Sequence, residues 1–215
     1  MSAIVPLWTL GAELLKAAGN IFGVRSGTEE PQYSSRSLTA SVQIRQYNSR
    51  VAAETTVLAD DDRARSEGFR RLAGYIFGKN HRQAKIAMTA PVAQQNDTIA
   101  MTAPVGQLSS ATGGSIIRFY MPAKWTLATL PTPGDESIRL TEVPAETLAV
   151  LRFSGDRSAA TVARRTDELL NTLHENNIKT SGDPQAWFYD PPWTLSCARR
   201  NEIAVPINAR GDDAF

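Results

Sequence analysis

The order strand, strand, helix, strand occurs twice along this chain, and that recurrence restricts the possible folds more than any single segment does. The first set opens at Val42-Gln43-Ile44-Arg45-Gln46-Tyr47, and after a turn at Asn48-Ser49 the residues Val51, Ala53, Thr55 and Val57 share one strand face. Asp60, Asp61 and Asp62 then offer an N-cap and an acidic first turn for a helix running to Phe77. Its apolar stripe reads Phe69, Leu72, Ala73, Ile76 and Phe77, and Gly78 follows its end. The second set repeats this grammar with strands at Ser137 to Leu140 and Thr147 to Phe153. A helix follows from about Asp156, with Ala159, Val162, Ala163, Thr166, Leu169, Leu170 and Leu173 as its stripe and Asn176-Asn177 at its end. Two such units predict an internal duplication, with mainly antiparallel sheets closing around each other and one helix from each half outside.

Between the two sets lies a literal repeat. Ile86-Ala87-Met88-Thr89-Ala90-Pro91-Val92 returns as Ile99-Ala100-Met101-Thr102-Ala103-Pro104-Val105. With period two, Ile86, Met88, Ala90 and Val92 share a face, as do Ile99, Met101, Ala103 and Val105, which predicts a long hairpin joined by the polar stretch from Ala93 to Thr98. Pro91 and Pro104 have no N–H for a ladder and belong at a strand end, a bulge or an edge. The segment reads as sheet core with a proline stop. Farther on, Ile116 to Met121 forms a strand ended by Pro122, and Trp187 to Leu195 reads as an aromatic strand followed by a rigid loop.

Composition narrows the function. With 42% hydrophobic residues over a length of 215, the chain can bury a large core, and a net charge of +1 provides no global field for nucleic acid. Cys197 is the single cysteine, so no intramolecular disulfide or cysteine-cluster metal site is possible, and an isolated cysteine is usually a small buried hydrophobe. His81 and His174 lie in no nucleophile, metal or acid–base motif. Gly74 to Asn80 echoes a phosphate loop but stands at a helix C-terminus, whereas anions are held at an N-terminus; Gly74 itself hints at a close approach. The reading is a binding protein, not an enzyme, whose ligand is mostly apolar. Glu202, among apolar strand residues, needs a cation, and Arg199 or Arg200 is the partner in reach.

Residues 6–22 carry Leu7, Leu10, Leu14, Ala18, Ile21 and Phe22 at helical spacing. This amphipathic helix, too interrupted by charge to span a bilayer, is expected to make a peripheral membrane or protein contact from a cytoplasmic location. Residues 1–30 thus form an N-terminal helix and linker, 31–207 the ligand-binding domain and 208–215 a polar tail.

Gly74-Tyr75-Ile76-Phe77-Gly78-Lys79-Asn80, the paired Ile-Ala-Met-Thr-Ala-Pro-Val segments, Arg118-Phe119-Tyr120-Met121-Pro122 and Tyr189-Asp190-Pro191-Pro192-Trp193-Thr194 with Arg199-Arg200-Asn201-Glu202 together resemble the SOUL haem-binding protein family, from roughly Gly23 to Pro206. The resemblance implies an α+β fold: a distorted antiparallel β-barrel of two pseudo-symmetric halves flanked by two main helices. It also implies reversible binding of haem or another tetrapyrrole in an apolar surface cleft, as a carrier or buffer. The alternatives are a module for a different small apolar effector and, after that, a hydrolase. Phe69, Ala73 and Tyr75 match the family's helix-side contacts, and Tyr189, Trp193 and Thr194 its loop contacts. Arg70, one step round the helix, is the expected cation for an anionic propionate. Where some members carry an iron-ligating histidine, this chain reads Arg50-Val51-Ala52-Ala53, so strong axial ligation of haem is not expected.

Overall fold

The computed structural model describes residues 29–96, 114–190 and 193–208. The helix expected over 6–22, the second copy of the repeat, the Pro191-Pro192 turn and the tail after Asn208 lie outside the described residues. Nine strands follow in order: β1 (Tyr33–Ser37), β2 (Val42–Tyr47), β3 (Arg50–Val57), β4 (Val92–Asn96), β5 (Ser115–Tyr120), β6 (Ile138–Val143), β7 (Glu146–Phe153), β8 (Gln185–Phe188) and β9 (Asn201–Pro206). Helix α1 (Asp61–Ile76) stands between β3 and β4, and α2 (Ala159–Glu175) between β7 and β8. All strands pair antiparallel in one curled sheet of order β1-β2-β7-β9-β8-β4-β5-β3-β6.

That order carries the duplication. Exchanging β2 with β6, β3 with β7, β4 with β8 and β5 with β9 reverses the run from β2 to β6 onto itself. The helices obey the same exchange, because α1 packs on β3 and β5 while α2 packs on β7 and β9. Register agrees as well, with Ala53 opposite Phe119 in one half and Ala149 opposite Val205 in the other. The fold is α+β as expected, the antiparallel sheet of the barrel curling into a half-barrel of two pseudo-symmetric halves flanked by the two helices, with β1 a further polar edge strand that lacks apolar alternation.

Local chemistry explains both helices. Asp60 caps α1 by accepting from the Arg63 backbone N–H at 3.0 Å, and Asp61 and Asp62 complement its dipole. Gly78, at φ 112°, is the left-handed residue that ends it. Asn80 then gathers the following loop, donating to the carbonyls of Tyr75 and Ala84 and accepting from the backbone N–H groups of Arg82 and Ala84. The glycine-and-asparagine motif is therefore a helix stop. Ser158 caps α2, and Asn177, at φ 54°, follows its end.

Three sequence expectations are corrected here. The buried face of α1 is Ala64, Gly68, Leu72, Tyr75 and Ile76, so Phe69 and Phe77 point outward. The close approach is at Gly68: a Cβ there would lie 2.4 Å from Ile117 Cγ1, whereas one on Gly74 would meet only the flexible Lys79 chain at 3.2 Å. The helix lies on the sheet along its smallest side chains, and that contact sets its roll. On α2 only Leu169 and Leu173 are fully buried, while Ala159 and Ala163 are exposed.

The repeat also behaves differently. Strand β4 occupies Val92–Asn96, the stretch expected to be a polar connection, and Ile86 to Met88 runs outside any strand. Pro91 cannot join a ladder, so pairing starts after it. Gln94 tolerates burial because it accepts from Arg65 Nε at 3.0 Å and donates to the Asp61 carbonyl at 3.2 Å. The apolar residues of the first copy still enter the core. Ile86, Met88 and Val92 join the cluster under α1, and Ala90 joins the central cluster with Tyr47, Tyr120 and Trp187.

Glu29 and Glu30, placed by sequence in the linker, are fastened to the barrel. The Glu29 carbonyl accepts from Ala90 N–H at 3.0 Å, its carboxylate accepts from Ala123 N–H at 2.8 Å, and Glu30 receives Arg200 Nη1 at 3.0 and 3.1 Å. Deleting residues 1–25 should leave a cooperative thermal transition near that of the full chain. Deleting through Glu30 should lower it, by about 1–3 kcal/mol for charge-bearing hydrogen bonds. Equal transitions for the two truncations would refute the anchoring role.

Candidate ligand-binding site

The first group of residues expected at the site lies on α1. Phe69 is 40% exposed and meets the Phe119 ring edge-on at 5.4 Å, Arg70 is exposed, and Ala73, one turn farther on, is half-buried. Phe77 extends this apolar surface beyond the helix end.

The second group comes from the segment after β8, where Trp193 is 63% exposed. The start of this segment is tied to the first turns of α1 through arginines. Arg65 stacks over the Phe188 ring at 4.6 Å and its Nη1 reaches the Arg157 carbonyl, while Arg157 lies over the same ring at 5.9 Å and donates Nη1 to the Asp190 carbonyl at 3.2 Å. Burial and then the nearby charges of Arg65 and Arg199 pull the Arg157 guanidinium below its usual range. These cations were missed in the sequence because Arg157 comes from the other half of the chain, with no local pattern joining it to Arg65.

The remaining site residues stand behind the surface. Tyr75 is 1% exposed and donates its hydroxyl to the Pro131 carbonyl at 2.8 Å, and burial pushes that hydroxyl up to about 12. Tyr189 is buried and donates to Glu202 Oε2 at 2.7 Å, with burial and the Glu202 charge raising its pKa well above the phenol range. Thr194 is buried also. All three expected contacts are thus buried, Tyr75 on the inner side of α1 and Tyr189 and Thr194 in the segment after β8.

Glu202 is wholly buried, and Arg200 is a partner, as expected, through Nε at 2.9 Å. The bidentate partner is Arg45 of β2, at 2.8 and 3.0 Å, which no sequence proximity announced. Arg199 instead donates Nε to the Thr194 carbonyl at 2.8 Å. His81 and His174 are exposed, and Cys197 is exposed too, against the expectation of burial. Among the described residues no group of three or more His, Cys, Asp or Glu is placed to hold a metal ion, and no helix is long and apolar enough to cross a membrane.

With this geometry in view, comparison decides the family. The sequence profile of the SOUL heme-binding protein family matches residues 28–206. This chain belongs to the SOUL heme-binding protein family. Its SOUL domain is 28% identical over 147 residues to heme-binding protein 1 of Xenopus laevis, covering 66% of this chain and 70% of that one. Haem binding in general is the property this membership supports. Among solved structures, the EcmrR C-terminal domain superposes with a TM-score of 0.57 at 10% identity, over 83% of this chain and 99% of that one. A hydrolase from Listeria innocua gives 0.51 at 5% identity, over 80% of this chain and 94% of that one. At such identities these two likenesses concern the fold alone.

Proposed function

We propose that this SOUL protein binds haem or a related tetrapyrrole reversibly across the outer face of α1 and the Trp193 segment, as a carrier or buffer and without catalysis of its own. The observation that carries this reading is the exposure of Phe69, beside small Ala73, on a helix whose opposite face is fully packed. Large apolar groups gathered on a surface mark a binding site, and a flat apolar ring is the ligand type for such a shelf. Phe69 and Trp193 would supply the walls, Ala73 the room, and Arg70 a cation for a propionate. Tyr75, Tyr189 and Thr194 hold the backbone beneath. Bound haem would bring iron-centred redox and ligand-binding chemistry; the described residues offer no histidine on this face to ligate it strongly. Residues 6–22 would serve as a peripheral contact with a membrane or protein.

Titration with haem, iron-free porphyrin and an unrelated amphiphile tests the reading. Haem and porphyrin should both quench Trp193 fluorescence. Trp193→Ala and Ala73→Trp should each weaken binding at least about tenfold, or about 1.4 kcal/mol, while His81→Ala and His174→Ala change it little. Loss of the haem absorption band in His81→Ala with retention in Trp193→Ala would move the site to the helix end and refute this placement.

A further inference from the structure

A cavity of about 810 Å³ opens between β1, β2 and β7 on one side and the short helical turn Ser196–Ala198 on the other, with α2 contributing Arg165 and Glu168. Among the described residues its lining includes five arginines, Arg45, Arg152, Arg165, Arg199 and Arg200, and one carboxylate residue, Glu168. With Glu202 and Glu30 paired to Arg45 and Arg200 behind the lining, the five cations still outnumber the three carboxylates around them. We propose that this cavity is a binding site for a small phosphate ester, separate from the tetrapyrrole shelf on α1.

The hydrogen bonding divides the arginines into walls and ligands. Arg45 gives Nε to Gln43 and its two terminal nitrogens to Glu202, Tyr47 and Gln43, so it is a fixed positive wall. Arg200 is likewise held by Glu202 and Glu30. Arg165 differs. Its Nη1 is anchored on Glu168 at 2.5 Å and its guanidinium lies over Phe153 at 5.7 Å, yet its Nε is buried with no hydrogen-bond partner. Arg152 is exposed and stands directly across the β7–β9 ladder from Glu202, but makes no ion pair with it among the described residues, the Glu202 oxygens being taken by Arg45, Arg200 and Tyr189.

The Arg165 Nε lies within the wall without an acceptor, and an oxyanion with several lone pairs held on the exposed Arg152 fork can take it once the Arg165 chain turns outward. Guanidinium is the side chain suited to phosphate oxygens, and Ser41 and Ser154 on the lining add hydroxyl donors. The volume lies within the roughly 300–1,000 Å³ of small-molecule sites, more than a bare phosphate needs, and the exposed Tyr33 and Ala40 offer apolar lining for the organic part of an ester. A porphyrin does not suit these walls, because its ring would strip water from guanidiniums without replacing their hydrogen bonds.

Isothermal titration of the full chain at constant ionic strength separates the outcomes, with inorganic pyrophosphate, adenosine diphosphate and sulfate as probes. Adenosine diphosphate should bind, pyrophosphate more weakly and sulfate least. Arg152→Ala combined with Arg165→Gln should weaken the diphosphate at least about tenfold while leaving the haem titration unchanged, and Arg152→Lys should retain part of the binding. Arg82→Ala, an exposed arginine elsewhere, should have no effect. Should the double variant not fold, Arg152→Glu alone, at an exposed position, is expected to abolish binding. The proposal is overturned if no phosphate probe binds the wild-type chain, if the Arg152 variants bind as the wild type does, or if Arg82→Ala is equally harmful. Equal pyrophosphate and adenosine diphosphate affinities would overturn the ester and leave a plain anion site.

Discussion

Glu202→Gln is expected to lower the stability of this protein by about 3–5 kcal/mol, the cost of breaking a buried ion pair and leaving its partners uncompensated. The carboxylate has no exposed surface and receives Arg45 through both oxygens, Arg200 through Oε1 and the Tyr189 hydroxyl through Oε2. A glutamine can accept only through its one oxygen and turns an NH₂ toward two guanidiniums. In a chain of this size the loss should appear as a fall of about 6–20 °C in the thermal midpoint. The same carboxylate has a pH signature. Burial pushes its pKa upward, but the Arg45 hydrogen bond and the charges of Arg45 and Arg200 outweigh burial and hold it below the ordinary value of 4.5. A depressed folded pKa means that the stabilisation is complete above the unfolded value and is lost as pH falls through the folded one. Urea midpoints measured from neutral pH down through about 3 should therefore converge for wild type and variant at the acid end. Parallel curves, or a difference under about 1 kcal/mol at neutral pH, would show that the network contributes no more than an exposed pair.

Gly68→Ala is expected to cost about 1–3 kcal/mol through overpacking, although alanine is the better helix former by up to about 1 kcal/mol. The added Cβ would fall 2.4 Å from Cγ1 and 2.7 Å from Cβ of Ile117, a fully buried β-branched residue on β5 that cannot swing aside. Helix α1 would have to lift from the sheet and carry Phe69 with it. Gly74→Ala is the internal control. Its Cβ meets only the Lys79 chain, so that change should be neutral or stabilising in the same denaturation experiment. Equal effects of the two substitutions would show that the Gly68 contact does not set the position of α1.

Legibility followed the range of the interactions. Strand β2 was readable to the residue, and both helices to within a few residues, because alternation, Asp60 and Ser158 caps, and the Gly78 and Asn177 stops act within a few residues of where they are written. The duplicated order was enough to anticipate two pseudo-symmetric halves. In the candidate site, the aromatic residues Phe69 and Trp193 could be named from the sequence because they stand beside family motifs, whereas the arginine contacts could not, since their partners lie far along the chain. Arg45 is separated from Glu202 by 157 positions, and Arg65 from Arg157 by 92.

By itself, then, the sequence determined where elements begin and end, how the two halves repeat, and that Glu202 must find a cation. Those outcomes depend on backbone propensity, capping and the cost of an unpaired buried charge, all written locally. Tertiary structure alone decided that Arg45 joins Arg200 on Glu202, the roll of α1, the strand at Val92–Asn96 and the burial of Tyr75 and Tyr189. Each depends on distances between segments that meet only when the sheet curls: Gly68 reads as a weak helix residue until Ile117 lies beneath it, and Gln94 as a loop residue until Arg65 and Asp61 satisfy its amide.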